Sequence, residues 1–377
     1  MKIKILKILG VILIIASIIV LGLYIGNKDT RYWIDKNILK KTLNEEDLPT
    51  IPIEEAENVS IYAYSDYVVT YNKNILTIYN AKANKEKELN IQVKTPMFYS
   101  AGKYLLIADK EAQNLYLIYG DSLEWKKEVE GNISQITCNE SGAVGVSVTG
   151  TTYKSVIIMY DITGEEIFKT YLSTTSVTDL SISSNSKYLS FVEVNTSGTM
   201  IDAKVKTIDV DKAKNTPSDA IIYTYAAEPN ELILKIKYNG DRLNSMTDLG
   251  IYLYEKGIIT KIFEINDKVS FVDINLKNHV CNVQETTSTI FNTQYELQII
   301  SYDNGESISA YEIDSSVKSI YCKDSAIALN LGSEVRFINT KGWVIKNFHS
   351  DNNIKDIVIG DSVAGIIYKD RIEVLDW

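Results

Sequence analysis

Apolar and polar positions alternate along most of the chain in a unit that recurs at regular intervals. In the clearest copy, Val177, Leu180 and Ile182 precede a polar turn and a second apolar run that starts at Tyr188. The other copies begin at Val59, Thr95, Ile133, Ile222, Val269, Val317 and Ile354, with those at Val59, Thr95 and Ile222 weaker. The units are spaced by roughly 36 to 48 residues, the period of a propeller blade or a solenoid repeat.

Each unit carries a further apolar run that ends in Asp, Asn, Gly or Glu before a turn. Examples are ILTIYN, which ends at Asn80, and VIIMYD, which ends at Asp161. Short runs of this kind, without a long helical period, predict four-stranded antiparallel blades. Because a β-propeller leaves only short, protected sheet edges, we predict an all-β propeller.

The eighth unit reaches Asp376 and Trp377 just after its third strand. The segment LPTIPIEEAE at residues 48–57 has the length of the missing outer strand. Pairing these two segments within one blade would remove an unpaired edge. We therefore predict a propeller of eight blades over residues 48–377, closed by its N- and C-terminal strands. Seven blades is the alternative, if the copy at Thr95 or Ile222 is not a full blade.

Residues 3–25 form the only long apolar run, and no charged residue occurs from Ile8 to Gly26. About 20 apolar residues span a bilayer as a helix. A cleaved signal peptide, the alternative, has a shorter apolar core and a small-x-small cleavage site, which the residues after Ser17 lack. We predict a transmembrane signal anchor over residues 1–26. Because Lys2, Lys4 and Lys7 favour a cytoplasmic amino end, a single-pass membrane protein with an extracytoplasmic propeller is expected.

The segment between the apolar run and the first repeat has helical spacing. Ile34, Ile38, Leu39 and Leu43 recur at helical spacing, before an acidic end and Pro49. We interpret residues 27–47 as a short juxtamembrane helical stalk.

Composition narrows the range of partners. The chain has 377 residues, a hydrophobic content of 45%, 25 tyrosines and a net charge of -10. No Lys/Arg run follows a repeated face, so nucleic acid is not an expected partner.

Few side chains have the spacing of a chemical site. Cys138, Cys281 and Cys322 lie on predicted strands and are interpreted as buried apolar residues, with a disulfide possible but not supported. His279 and His349 lack metal-ligand spacing, so neither a metal nor a cofactor is predicted. The carboxylates that end third strands are interpreted as turn caps: Asp161, Asp209, Asp303 and Asp376. A carboxylate pair for glycoside chemistry, drawn from distant blades, stays open.

The loops between second and third strands are expected to be longest in units three to six. They contain Thr, Ser and Asn with isolated larger side chains, a composition typical of a recognition surface. The candidate binding residues on this loop face are Tyr153, Met200, Arg242, Met246 and Phe291.

Some turns resemble those of known propellers. YDITGEEIF, from Tyr160 to Phe168, is similar to the turn repeat of quinoprotein-like and WD40-like propellers, and GDSLEW, from Gly120, is a looser copy. Phe168 and Tyr311 replace tryptophans of that pattern, so the resemblance does not imply quinone binding. The layout of anchor, stalk and Tyr/Ile/Asn-rich propeller also resembles a family of membrane-anchored proteins of unknown function from low-GC Gram-positive bacteria.

These patterns favour a binding or scaffolding module, anchored in the membrane, with a protein or cell-wall partner. The alternative is a glycan hydrolase or lyase that uses carboxylates in the propeller channel. An enzyme is expected to show paired acids with shifted pKa values in that channel, and a binding module is not.

Overall fold

The structure is a computed structural model that describes residues 2–27, 30, 34, 38, 43–44, 48–54, 59–229, 231–288 and 293–376. Within these ranges, side chains are described except at residues 2–9, 11–13, 43–44 and 288.

Helix α1 (Lys2–Gly26) is the first element, and residues 14–23 are all exposed. In the part of the chain described with its side chains, no helix is both long and apolar enough to cross a membrane. Most of the predicted stalk lies outside the described residues. Among the described stalk residues, the N–H of Ile38 donates to the carbonyl of Ile34 at 2.9 Å, the i to i−4 spacing of an α-helix. The prediction of a helix is wrong at Leu43–Asn44, which form a short strand.

The remainder of the described chain forms eight antiparallel sheets, which we number as blades in chain order. Blades 1 and 2 contain β3 (Ser60–Tyr64), β4 (Tyr67–Asn72), β5 (Ile75–Asn80) and β6 (Lys85–Asn90), then β7 (Pro96–Ala101), β8 (Tyr104–Asp109), β9 (Asn114–Tyr119) and β10 (Ser122–Glu128). Blades 3 and 4 contain β11 (Asn132–Cys138), β12 (Val144–Thr149), β13 (Ser155–Tyr160) and β14 (Glu166–Leu172), then β15 (Ser176–Ile182), β16 (Tyr188–Asn195), β17 (Asp202–Asp209) and β18 (Ile221–Ala226). A short helix α2 (Val210–Asn215) and a 3-10 turn (Pro217–Asp219) precede β18.

The second half of the ring repeats this order. Blades 5 and 6 contain β19 (Ile233–Asn239), β20 (Arg242–Thr247), β21 (Gly250–Glu255) and β22 (Ile258–Glu264), then β23 (Val269–Asp273), β24 (His279–Ser288), β25 (Thr293–Ser301) and β26 (Ser307–Ile313). Blade 7 contains β27 (Ser319–Lys323), β28 (Ala326–Asn330), β29 (Glu334–Asn339) and β30 (Val344–His349), with β1 (Leu43–Asn44) added in parallel to β30. Blade 8 contains β31 (Asp356–Ile359), β32 (Val363–Ile367), β33 (Arg371–Asp376) and β2 (Thr50–Pro52).

The predicted closure of the ring is confirmed. β2 is the outer strand of blade 8 and pairs antiparallel with β33, with Ile51 opposite Ile372. The N–H of Val374 also donates to the carbonyl of Pro49 at 2.9 Å. The eight sheets confirm the predicted count of eight blades, and the seven-bladed alternative is excluded.

The hydrophobic core lies between blades. Each of the eight apolar clusters of the described chain joins two neighbouring blades, and the cluster around Ile51, Val68 and Val363 joins blade 8 to blade 1. Middle strands are covered on both faces, so β8 and β13 are buried along their whole length. The outer strand β6, with sequence KEKELN, is exposed and charged. Because middle strands are covered on both faces and outer strands are not, the middle strands have continuous apolar sequences.

One repeat was assigned to the wrong strand. The copy at Ile222 and Tyr225 is not an inner strand, because it forms β18, the outer strand of blade 4. The inner strand of blade 5 is β19, ILKIKYN, in which two lysines interrupt the apolar pattern.

Strand direction divides the connections between two faces of the ring. We call the face with the connections from strand two to three and from blade to blade the crossover face. We call the face with the turns from strand one to two and from strand three to four the hairpin face. Because the strands are antiparallel, the two sets of connections lie on opposite faces.

Candidate functional site

The structure divides the predicted binding residues between several locations. Tyr153 and Met200 lie in connections between second and third strands, on the crossover face, as predicted. The prediction of loop positions for Arg242 and Met246 is wrong, because both lie within β20. Phe291 lies outside the described residues.

Arg242 belongs to the hairpin face. It begins β20 directly after the turn from β19, and its guanidinium forms an ion pair with the carboxylate of Asp303 in blade 6. The error follows from the misassigned repeat: with β19 as the inner strand, the segment predicted to be a loop is the second strand, β20, whereas the third strand lies where it was predicted. The true connection from second to third strand in this blade is residues 248–249, so the predicted run of four long loops is interrupted.

The crossover face of blades 3 to 5 nevertheless carries many exposed apolar side chains. Between 37% and 58% of the surface of each is exposed: Tyr153, Tyr171, Met200, Ile201, Leu232, Leu234 and Leu249. We call these seven residues the crossover patch. Tyr153 and Tyr171 contact each other, with ring centroids 4.7 Å apart. The exposed apolar residues of the hairpin face are instead distributed along the outer rim of five blades: Tyr119, Leu123, Ile162, Ile258, Ile259, Ile308 and Trp343.

A pocket of about 620 Å³ opens on the hairpin face between blades 4, 5 and 6. Five of its lining residues are tyrosines: Tyr188, Tyr223, Tyr225, Tyr238 and Tyr254. The rings of Tyr225 and Tyr254 stack at 4.5 Å, and the Tyr225 hydroxyl accepts the N–H of Gly257 at 3.1 Å. Much of this aromatic surface is therefore used to hold the two blades together.

The central channel is the larger cavity, with a volume of about 830 Å³, and the inner strands of all eight blades line it. Among the described residues, five carboxylates and four lysines line this channel: Glu140, Asp179, Asp273, Asp324, Asp356, Lys235, Lys237, Lys277 and Lys323.

Two channel carboxylates link neighbouring blades. Asp179 of blade 4 accepts the N–H of Ile236 in blade 5 at 2.7 Å. Burial raises the pKa of Asp179 to about 6, although this hydrogen bond and the charge of Lys235 act to lower it. Asp273 of blade 6 accepts the N–H of Asn275 at 2.6 Å, and burial raises its pKa as well. These acids have the shifted pKa values expected of an enzyme, but their oxygens are already bound by backbone amides.

Three channel lysines converge from blades 5 and 7. Lys235 and Lys237 both donate to Asn275 Oδ1, at 3.1 and 3.4 Å. Burial lowers the pKa of Lys237 to about 8, and the charges of Lys323 and Lys235 add to this effect. Lys323 extends across the channel to Ser100 Oγ at 3.4 Å.

The other candidate groups have structural environments. Asp161 Oδ1 accepts the N–H groups of Thr163 and Glu165, both at 2.9 Å, which is the predicted turn cap. Cys138, Cys281 and Cys322 are buried free thiols. The described residues contain no group of three or more His, Cys, Asp or Glu side chains that could hold a metal ion.

The ring and these two cavities define the protein as an eight-bladed β-propeller with a polar channel. The sequence profile of DUF5711, a family of unknown function, matches residues 39–376, and the chain belongs to that family. A sequence comparison with curated proteins finds no match.

Solved structures show the same fold. The crystal structure of BamB from Moraxella catarrhalis is 12% identical, with a TM-score of 0.53, and the match covers 88% of this chain and 99% of that chain. The C-terminal WD40 domain of Sif2 is 10% identical, with a TM-score of 0.55, over 87% of this chain and 98% of that chain. The predicted resemblance to a propeller family of unknown function and to WD40-like propellers is therefore confirmed.

Proposed function

We propose that the protein is a membrane-anchored, extracytoplasmic binding or scaffolding module that docks a protein or cell-envelope partner on the crossover patch. The observation that carries this proposal is the concentration of seven exposed apolar side chains on one face of three consecutive blades. Large exposed apolar patches on a protein surface mark interaction sites. Polar Thr, Ser and Asn residues adjoin Tyr153 and Met200 in residues 149–155 and 195–199, as at the rim of a protein interface.

The channel carboxylates favour binding over catalysis. A general acid or nucleophile needs a carboxylate oxygen directed at the substrate. In Asp179 and Asp273 the oxygens instead accept backbone N–H groups within the inner strands, and so stabilise the ring. The two acids still make a glycan hydrolase or lyase the second candidate, since both have raised pKa values in a channel. Turnover of envelope glycans by the purified protein, abolished in Asp179→Asn and Asp273→Asn, would support that candidate instead.

The proposed anchor rests on the amino-terminal sequence. Residues 3–25 form an apolar run of the length that spans a bilayer as a helix, and the side chains of residues 14–23 are exposed. The amino-terminal lysines favour a cytoplasmic amino end. Protease added outside intact cells is expected to digest the propeller. Complete protection until the cells are lysed would contradict this orientation.

The docking face can be tested with a site-specific photo-crosslinking residue in intact cells. One variant carries it at Met200, on the crossover face, and the control carries it at Ile162, an exposed position on the hairpin face. We expect a crosslinked partner from position 200 that the paired change Leu234→Ser and Leu249→Ser removes. Equal crosslinking from position 162, or recovery unaffected by the serine changes, would overturn the proposed face.

A further inference from the structure

We propose that the central channel binds an anionic group, a carboxylate or phosphate of a ligand, through Lys235, Lys237 and Lys323. This site is separate from the crossover patch, so either proposal can fail without the other.

The inner strand of blade 5 presents a row of hydrogen-bond donors to the channel. Lys235, Lys237 and Asn239 alternate along β19 and therefore share one side of the strand. Both ammonium groups donate to the neutral amide oxygen of Asn275. Neither forms an ion pair with a carboxylate of the described residues. Asn239 adds a second observation, because its Nδ2 is buried without an acceptor in the described chain.

Lys323 supplies a third positive charge from the inner strand of blade 7. Its side chain is only 15% exposed, and its Nζ lies 3.6 Å from Asp361 Oδ1 and 3.4 Å from Ser100 Oγ. A 3.6 Å ion pair leaves the ammonium free to donate its other hydrogens.

Two of the acids near these lysines already have hydrogen-bond donors. Asp273 binds the N–H groups of Asn275 and Cys322, and Asp179 binds that of Ile236. Lys235 and Lys237 have no carboxylate of the described residues within ion-pair distance, although Asp179, Asp273 and Asp324 act on them from further away. Ammonium groups in low dielectric are costly, and a bound anion offsets that cost. Since a cavity of about 830 Å³ exceeds a single oxyanion, the anionic group is expected to belong to a larger molecule.

The test is calorimetric titration of the full-length protein with inorganic phosphate, citrate and a polyphosphate chain. Charged hydrogen bonds of about 1.5–3 kcal/mol predict that Lys237→Met or Lys323→Met weakens binding by roughly tenfold or more. The control Lys268→Met, at an exposed lysine outside the channel, should bind like the wild type. If polyphosphate binds more strongly than phosphate, the ligand is a polymer segment. If the two bind equally, the ligand is a free anion.

The pH dependence of anion binding gives a second readout, which is informative even if the methionine variants do not fold. Binding should weaken as the pH rises through about 8, where Lys237 loses its proton. The charged groups that act on Lys237 are Lys235, Lys323, Asp273 and Asp324. Lys237→Arg, which keeps the charge, should extend binding to higher pH. Absence of binding to all three probes, or equal binding in Lys237→Met and wild type, would overturn the site.

Discussion

Asp273 Oδ2 accepts the backbone N–H of Cys322 at 3.2 Å, which joins the inner strand of blade 6 to that of blade 7. Asp179 makes the equivalent link from blade 4 to Ile236 of blade 5. The inner edge of each blade leaves N–H groups without a ladder partner, and these carboxylates satisfy two of them.

Replacing Asp179 by Asn should stabilise the propeller at neutral and alkaline pH. The amide oxygen can still accept the N–H of Ile236, while the buried charge is removed. Because the folded pKa of about 6 lies above the ordinary value, the native state binds more protons between about pH 4 and 6, and wild-type stability falls as the pH rises through this window. The free energy of unfolding of Asp179→Asn should exceed that of the wild type by roughly 3 kcal/mol at most.

Urea unfolding of Asp179→Asn and wild type at several pH values measures this effect. The advantage of the variant should be full above pH 7 and vanish toward pH 4, and the exposed control Asp267→Asn should show little change. An Asp179→Asn variant that is less stable than the wild type at pH 8 would contradict the assignment.

Ile51→Ala should weaken the closure of the ring. Ile51 is 1% exposed and packs in the cluster between blades 8 and 1. Truncation therefore leaves a cavity and should lower the free energy of unfolding by roughly 2–5 kcal/mol. Denaturant unfolding measures the loss. The exposed control Ile75→Ala should cost about 0.5 kcal/mol or less; equal losses at the two positions would argue against closure through β2.

Gly164→Ala should destabilise the protein more than Gly120→Ala. Both glycines have positive φ angles, +81° and +57°, so both substitutions introduce backbone strain. Only at Gly164 would the new Cβ also meet the ring of Trp125, at 3.1 Å. We expect an additional loss of about 1 kcal/mol or more in thermal or urea unfolding. Identical losses would show that Trp125 moves away freely.

The three thiols should be unreactive in the folded protein. Cys138, Cys281 and Cys322 are buried, and burial raises the pKa of Cys138 to about 12. Since the thiolate is the reactive form, an aromatic disulfide reagent at pH 8 should label them only after denaturation. Rapid labelling of native protein would indicate that the blade interfaces open.

Most of the fold could be predicted from local pattern. Middle strands covered by blades on both sides must be apolar, so runs such as VIIMY in β13 and LYLIY in β9 locate the blades without any tertiary information. The segment around Ile51 could be assigned to the last blade because an unpaired outer edge had to be satisfied.

The inner strand of blade 5 was not predicted, because the prediction depended on buried positions being apolar. Alternation of apolar residues reports burial only when buried positions are apolar, and β19 carries Lys235 and Lys237 into the channel. Its neighbour β18, IIYTYA, has the apolar composition of an inner strand but lies at the outer edge. Lys235 and Lys237, which make the channel a candidate anion site, are also the residues that interrupt the apolar pattern of this strand.

The sequence by itself determined the repeat, the closure and the apolar first helix, and it favoured eight blades over seven, since each depends on local burial or on chain order. Only the tertiary structure decided which side chains meet, such as Arg242 with Asp303 and Lys323 with Ser100. These pairs lie 61 and 223 residues apart in the chain. Their proximity depends on how the blades close into a ring, and no local pattern of hydrophobicity records that geometry.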